Sequence, residues 1–303
     1  MFAGLIPHTL AYLVLLMYII VLNQEFREHI LESEEYVCSV FTGRLGNRMF
    51  QYAALYGIAK KTTKQLSVIK DLELEKYFML PAEKDVFSKR TCQRFTYIKE
   101  KGFAKFDQDL LNLRPGKNYK ILNYLQSWKY FGDYFEDIRE EFKFTAGIEA
   151  NATQKIKEIR ASSNKQTVVG IHIRRGDITS SANSKLGYQT TPVDYIHKAM
   201  HFMTTKYQDI VFVVCSDDKD YARKATTLRN STVVYMQGSE IEDFAILAHS
   251  DHVITTTGTF GWWAGFLSRG TVIYYVLPYR LGSTLGEEFS HDDFFLKDWI
   301  GLK

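Results

Sequence analysis

Short β-branched runs alternating with helical stretches fill the second half of the chain, and this alternation limits its fold more than any other feature. Apolar runs stand at residues 168–173, 210–215, 232–236, 252–256 and 271–276, and residues 192–207, 220–229, 241–249 and 260–267 between them read as helices. Strands this short and apolar, separated by helices, require a parallel sheet with right-handed crossovers and both faces covered. The pattern predicts a Rossmann-like domain over residues 166–280, joined to an N-terminal domain over 36–165 through the polar Ser, Asn and Lys segment at 161–166.

Open parallel sheets bind ligands at the carboxyl ends of their strands. The run VVGIHIRRGD at 168–177 ends there in His172, Arg174, Arg175 and Asp177. Arginine offers planar, permanently charged donors that hold a phosphate in bidentate fashion. Strand alternation puts His172 and Arg174 on one side, with Arg175 opposite or already in the loop. The second run ends in Ser216-Asp217-Asp218, and the fourth in Thr255-Thr256-Thr257-Gly258-Thr259 just before a helix near Phe260. Together these ends fit a nucleoside diphosphate: hydroxyls, amides and a helix N-terminus for phosphate, Arg for the remaining charge, a carboxylate for the base. Asp217 can accept both N1–H and the exocyclic amine of guanine. The plain alternative is a pair of surface arginines with Asp177 as ion-pair partner or cap. Asp218-Lys219-Asp220 could be read as a metal triplet, but carboxylates at a helix start are expected anyway.

The first half is less regular. Residues 36–41 read as a strand, Gly43-Arg44-Leu45-Gly46-Asn47 as a glycine turn and 48–61 as an amphipathic helix, with further strands at 65–69 and 121–125. Such a turn either lets backbone approach a ligand below a helix N-terminus or serves packing alone. No period holds over 71–120, where Asp107-Gln108-Asp109 resembles a metal-binding pair of carboxylates. Trp128, Tyr130, Phe131, Tyr134 and Phe135 read as core or interface packing, with a sugar-stacking platform as the other possibility.

A chain of 303 residues, 46% hydrophobic, has room for two domains, and a net charge of +3 spread along it argues against a nucleic-acid partner. Residues 10–22 carry no charge, and counting back the uncharged stretch approaches the roughly 20 residues that span a bilayer. We read 1–22 as a transmembrane signal-anchor and 23–35 as a polar stem; a cleaved signal peptide and a buried helix are the alternatives. Asn151-Ala-Thr153 and Asn230-Ser-Thr232 are glycosylation sequons. Of three cysteines, Cys215 lies in an apolar run as a packing thiol, and Cys38 with Cys92 is a possible bridge.

Five ordered segments, 43–60 (GRLGNRMFQYAALYGIAK), 124–131 (YLQSWKYF), 169–177 (VGIHIRRGD), 211–218 (VFVVCSDD) and 255–267 (TTTGTFGWWAGFL), resemble the α-1,2-fucosyltransferases. The resemblance implies an α/β fold of GT-B type, two Rossmann-like domains facing a cleft with an N-terminal transmembrane helix, in a single-pass type II Golgi membrane enzyme with a lumenal catalytic region. It implies an inverting transfer of L-fucose from GDP-fucose to the 2-hydroxyl of a terminal galactose on a glycan, without a metal cofactor. By the same resemblance Arg174 contacts the donor diphosphate, His172, Ser216 and Asp217 lie near the nucleoside, and Thr259 and Phe260 form the phosphate and fucose turn. Arg44, Gly46 and Asn47 lie across the cleft near the transferred sugar or acceptor.

Departure of GDP leaves extra charge on its β-phosphate, which Arg174 and Arg175 would stabilise in place of a divalent ion. Asp177 is either the base for the acceptor hydroxyl or the group that orients Arg174. The tail at 281–303 matches no motif, and Arg48 stands where many relatives have Gln. A lumenal lectin or nucleotide-binding module without turnover, and a transferase for another nucleotide sugar, are the competing functions.

Overall fold

Buried strands without polar alternation must be covered on both faces, and the central strands of two all-parallel sheets meet that demand here. The computed structural model describes residues 12, 17, 18, 35–69, 73–82, 84–87 and 89–303. The first sheet has the order β3-β2-β1-β5-β4, from β1 (Tyr36–Cys38), β2 (Gln65–Ile69), β3 (Asp85–Phe87), β4 (Thr96–Lys99) and β5 (Tyr119–Leu122). The second has the order β11-β10-β9-β6-β7-β8, from β6 (Thr167–Ile173), β7 (Ile210–Ser216), β8 (Thr232–Tyr235), β9 (His252–Thr255), β10 (Val272–Tyr275) and β11 (Ile300–Leu302). The architecture is the expected parallel α/β arrangement. The anchor and stem expected at 1–22 and 23–35 fall, but for a few positions, outside the described residues. Among the described residues no helix is long and apolar enough to cross a membrane.

Register assembles the site. His172 is level with Cys215 on one side and Thr255 on the other, and Ile173 with Ser216, so the polar strand ends emerge together. The principal helices are α1 (Leu45–Thr62), α2 (Phe135–Glu141), α3 (Ala146–Ser163), α4 (Val193–Lys206), α5 (Lys219–Ala225), α6 (Glu240–Ala248) and α7 (Thr259–Ser268). The expected link at 161–166 is the end of α3, its left-handed cap at Asn164 and the approach to β6, which begins at Thr167.

Helix α1 was expected to be amphipathic, yet all residues from Met49 to Ala59 are buried. It lies between its own sheet and α7, so it has no solvent face to keep polar. Phe50 sits 4.6 Å from Trp262, 5.0 Å from Trp263 and 5.8 Å from Phe294, ring centre to ring centre. The tail at 281–303 returns to the body: Ile300–Leu302 adds a sixth strand to the second sheet, and Asp293 pairs with Lys129. Three residues, one of them glycine, carry no strand period, which is why that element left no trace in the sequence.

Both the 36–41 and 121–125 runs stop short as strands. Beyond β5 the backbone turns left-handed at Asn123 (φ 101°) and Leu125 (φ 54°). The segment without a period, 71–120, contributes the short strands β3 and β4, and it is held by a disulfide between Cys38 of β1 and Cys92. Cys215 is buried and free. The disulfide spans 54 residues, so removing it with Cys92→Ala should cost about 2–5 kcal/mol. Denaturant unfolding with and without reductant measures this, and equal midpoints for variant and oxidised parent would contradict it.

Candidate active site

The carboxyl edge of the second sheet faces the amino end of α1 across a cleft of ≈ 230 Å³. Nine of the expected site residues line it: Arg44, Gly46, Asn47, His172, Arg174, Ser216, Asp217, Thr259 and Phe260. Cys215, Glu240 and Asp243 line it as well. The last two sit in the first turn of α6, whose capping box at Ser239 and Glu242 was readable as S-x-x-E. What the sequence alone did not reveal is that this helix start reaches the same edge.

Arg174 is largely buried. Its Nε and one terminal nitrogen donate to the two carboxylate oxygens of Asp177, at 3.0 and 2.7 Å, and its guanidinium lies 5.3 Å from the centre of the Tyr188 ring. Burial disfavours its charge, but Asp177 and Tyr188 outweigh that and hold it firmly protonated. Gly258, at φ 109°, leaves room for it: a Cβ there would stand 2.6 Å from a guanidinium nitrogen. Asp177, in turn, is held below the usual carboxylate range by its hydrogen bonds from Arg174. A carboxylate so engaged is a weak base and a strong orienting group.

Arg175 is not brought to the cleft. It stands in the loop that follows β6, where its guanidinium stacks 3.9 Å over Tyr221 and pairs with Asp218 at 3.3 Å. Asp217 lines the cleft, but its two oxygens accept the backbone N–H groups of Arg175 and Gly176 at 2.8 and 3.0 Å. Asp218 caps α5 through the Tyr221 N–H. Asp243 is only partly engaged: one oxygen accepts the Gly238 N–H at 3.2 Å, and burial pushes its pKa up.

His172 packs its ring 4.9 Å from that of Phe260, and burial pulls its pKa down to about 4, so it is neutral at physiological pH. Beside it α7 begins after Gly258, without a side-chain cap and with no acidic residue in its first turn. An uncapped amino end next to Arg174 is an anion site.

Asn47 joins the two walls. Its Oδ1 accepts from Gln126 Nε2 at 3.1 Å and from Thr259 Oγ1 at 2.9 Å. Gln126 is itself placed from the interior: it follows left-handed Leu125, whose N–H donates to Glu100 Oε2 at 2.9 Å. The other Glu100 oxygen accepts the Tyr130 hydroxyl at 2.9 Å. Burial pushes Glu100 up to about 9, although the hydrogen bonds from Tyr130 and Leu125 work the other way. Tyr130 and Phe131 are fully buried, so these two aromatic side chains serve packing. Asp107 caps the 3-10 turn at Gln108–Leu111, and among the described residues no group of three or more His, Cys, Asp or Glu stands in metal-holding geometry.

Comparison with known proteins places this arrangement in a context. Residues 9–303 match the pattern of Glycosyl transferase family 11. Galactoside 2-alpha-L-fucosyltransferase SEC1 of Bos taurus is 27% identical over 272 residues, covering 86% of this chain and 72% of the relative. Galactoside alpha-(1,2)-fucosyltransferase 2 of Bos taurus is 28% identical over 272 residues, covering 86% and 77%. Among solved structures, Arabidopsis thaliana FUT1 in complex with GDP superposes with a TM-score of 0.51 at 14% identity, over 80% of this chain and 70% of that one. That likeness is one of fold.

The Glu100 carboxyl makes stability depend on pH. Its folded pKa is raised above the unfolded value, so the stabilisation it contributes is complete below about pH 4.5 and is lost as pH rises towards 9. Unfolding followed at pH 6, 7.5 and 9 should show stability falling with pH, and Glu100→Gln should flatten that slope. An unchanged slope in the variant would mean that Glu100 is not the titrating group.

Proposed function

The chain belongs to glycosyl transferase family 11, and on that premise we propose that it transfers L-fucose from GDP-fucose to the 2-hydroxyl of a terminal galactose, with inversion. The observation that carries this is one largely buried arginine, fixed by Asp177 and Tyr188 beside the open amino end of α7. When GDP leaves, the β-phosphate gains negative charge while fucose becomes oxocarbenium-like. A guanidinium and amides already aimed at that charge stabilise the transition state more than the ground state. Asp177 serves here by fixing Arg174. These groups carry the charge that a divalent cation otherwise would, so the transfer proceeds without metal.

Guanine is read by Asp243. Asp217 was the first candidate, but both its oxygens hold the loop that carries Arg175 and Gly176, whereas Asp243 keeps one oxygen for N1–H and the exocyclic amine. The apolar pair His172 and Phe260 gives the donor a neutral wall, and Arg44 and Asn47 face the transferred fucose and the acceptor from α1.

The enzyme works in the Golgi lumen as a single-pass type II membrane protein. An uncharged N-terminal stretch, the Cys38–Cys92 disulfide and the exposure of both Asn151 and Asn230 support that placement. Protease protection in sealed microsomes tests it, with degradation of the catalytic region in intact vesicles as the contrary result.

Full-length protein in detergent should transfer fucose from GDP-fucose to a galactose-terminated acceptor in the presence of EDTA. Arg174→Ala should lower kcat/KM by about 10²–10³-fold while thermal unfolding stays cooperative; near-normal turnover would remove Arg174 from the chemistry. GDP, and not UDP, should raise the melting temperature, and Asp243→Ala should weaken that shift far more than it changes the melting point of the free protein. Stabilisation by UDP alone would rule out guanine recognition.

A further inference from the structure

The segment YLQSWKYF is absorbed by neither the donor site nor the metal-free chemistry, yet one of its residues touches the cleft from behind. Gln126 is 5% exposed, its backbone N–H donates to the Phe103 carbonyl at 2.9 Å, and its side chain reaches Asn47. A carboxamide oxygen has two lone pairs. On Asn47 both are taken, one by Gln126 and one by Thr259. Asn47 Nδ2 is thereby turned towards Gly43, the neighbour of cleft-lining Arg44, where it donates to no group among the described residues.

From this geometry we infer that Gln126 is a positioning residue, which fixes the Asn47 amide so that its NH₂ faces the oxygens of the bound sugar nucleotide. Thr259 cannot do this alone. A hydroxyl donates or accepts with equal ease and would satisfy Asn47 in either orientation. Gln126 breaks the tie by presenting Nε2, a donor only. A joint reversal of both amides would instead aim Asn47 Oδ1, an acceptor, at the oxygens of the bound diphosphate, which repel it. The rigidity comes from behind Gln126: left-handed Leu125 is held through its N–H by Glu100, so the backbone that carries the glutamine is anchored in the core.

The inference rests on the transferase reading, and one assay separates the two. Full-length parent, Gln126→Glu, Gln126→Met, Asn47→Ala and the two double variants are compared for fucose transfer and for GDP binding. Gln126→Glu keeps the shape but only accepts, so it draws Asn47 Nδ2 inwards; kcat should fall about 100-fold with GDP affinity and melting temperature little changed. Gln126→Met, which leaves the amide free to rotate, should fall by about tenfold, a loss between those of the parent and the glutamate variant. Each double variant should be no slower than Asn47→Ala, because Gln126 acts only through that amide. A Gln126→Glu enzyme as fast as the parent, or losses that multiply with Asn47→Ala, would overturn the inference. Should Gln126→Glu fail to fold, the Gln126→Met cycle decides by the same criterion. Absence of transfer by the parent itself would overturn the underlying function instead, and this inference with it.

Discussion

The contact between the first turns of α1 and α7 is what the rest of the molecule depends on. A Cβ at Gly46 would stand 2.7 Å from the Thr259 backbone, and the Gly46 carbonyl accepts the Trp263 indole N–H at 3.0 Å. Two helices from different sheets meet there at backbone distance, and only glycine allows it. Behind that point Phe50, Phe131, Trp262 and Trp263 form one aromatic cluster. Tilted and edge-on aromatic pairs contribute about 0.5–1.5 kcal/mol each beyond the area they bury. The two walls of the cleft are therefore set by a shared core and not by a flexible joint, and Asn47 lies one residue from the point of closest approach.

In the proposed transfer that rigidity matters because the charge-stabilising groups must be in place before the bond breaks. Arg174 is useful only if it does not have to be recruited from solvent. Its surroundings show how a largely buried cation is kept: a bidentate carboxylate neutralises it, an aromatic face covers it, and Gly258 leaves it the space. The neighbouring histidine stays neutral because burial penalises its charged form, so it adds no competing cation.

Much of this was legible in the sequence for one reason: parallel sheets repeat. Buried β-branched runs with helices between them identify strands and their carboxyl ends, and nine site residues follow from those ends and from the glycine turn. What escaped detection has no period. Strand β11 is three residues with a central glycine, β3 is equally short, and β4 is one residue longer. The different fates of Arg174 and Arg175 turned on which way each side chain leaves the strand end, and on Tyr221 and Asp218 being there to receive the second. Gln126 was hidden because its importance is an orientation, imposed by a left-handed residue before it and a buried acid 26 positions earlier.

The cleft's acids can be followed one by one, and their engagements explain what may enter it as a ligand. Asp177 is bound to Arg174, Asp217 to two loop amides, and Glu240 to Arg44 across the mouth at 3.3 Å. Each of these carboxylates has its charge answered by a group already in the protein, so none of them repels an incoming diphosphate at full strength. Asp243 alone among the lining carboxylates has a single backbone partner, and burial raises its pKa, which makes a neutral hydrogen-bonding edge a more favourable neighbour for it than a phosphate. The two ends of the site are thus different: a fixed cation and open amides at α7 for the anion, and a partly satisfied carboxylate at α6 for a base that donates. In the proposed function a sugar nucleotide lying between them is oriented by that difference, with its sugar away from α6 and towards Asn47.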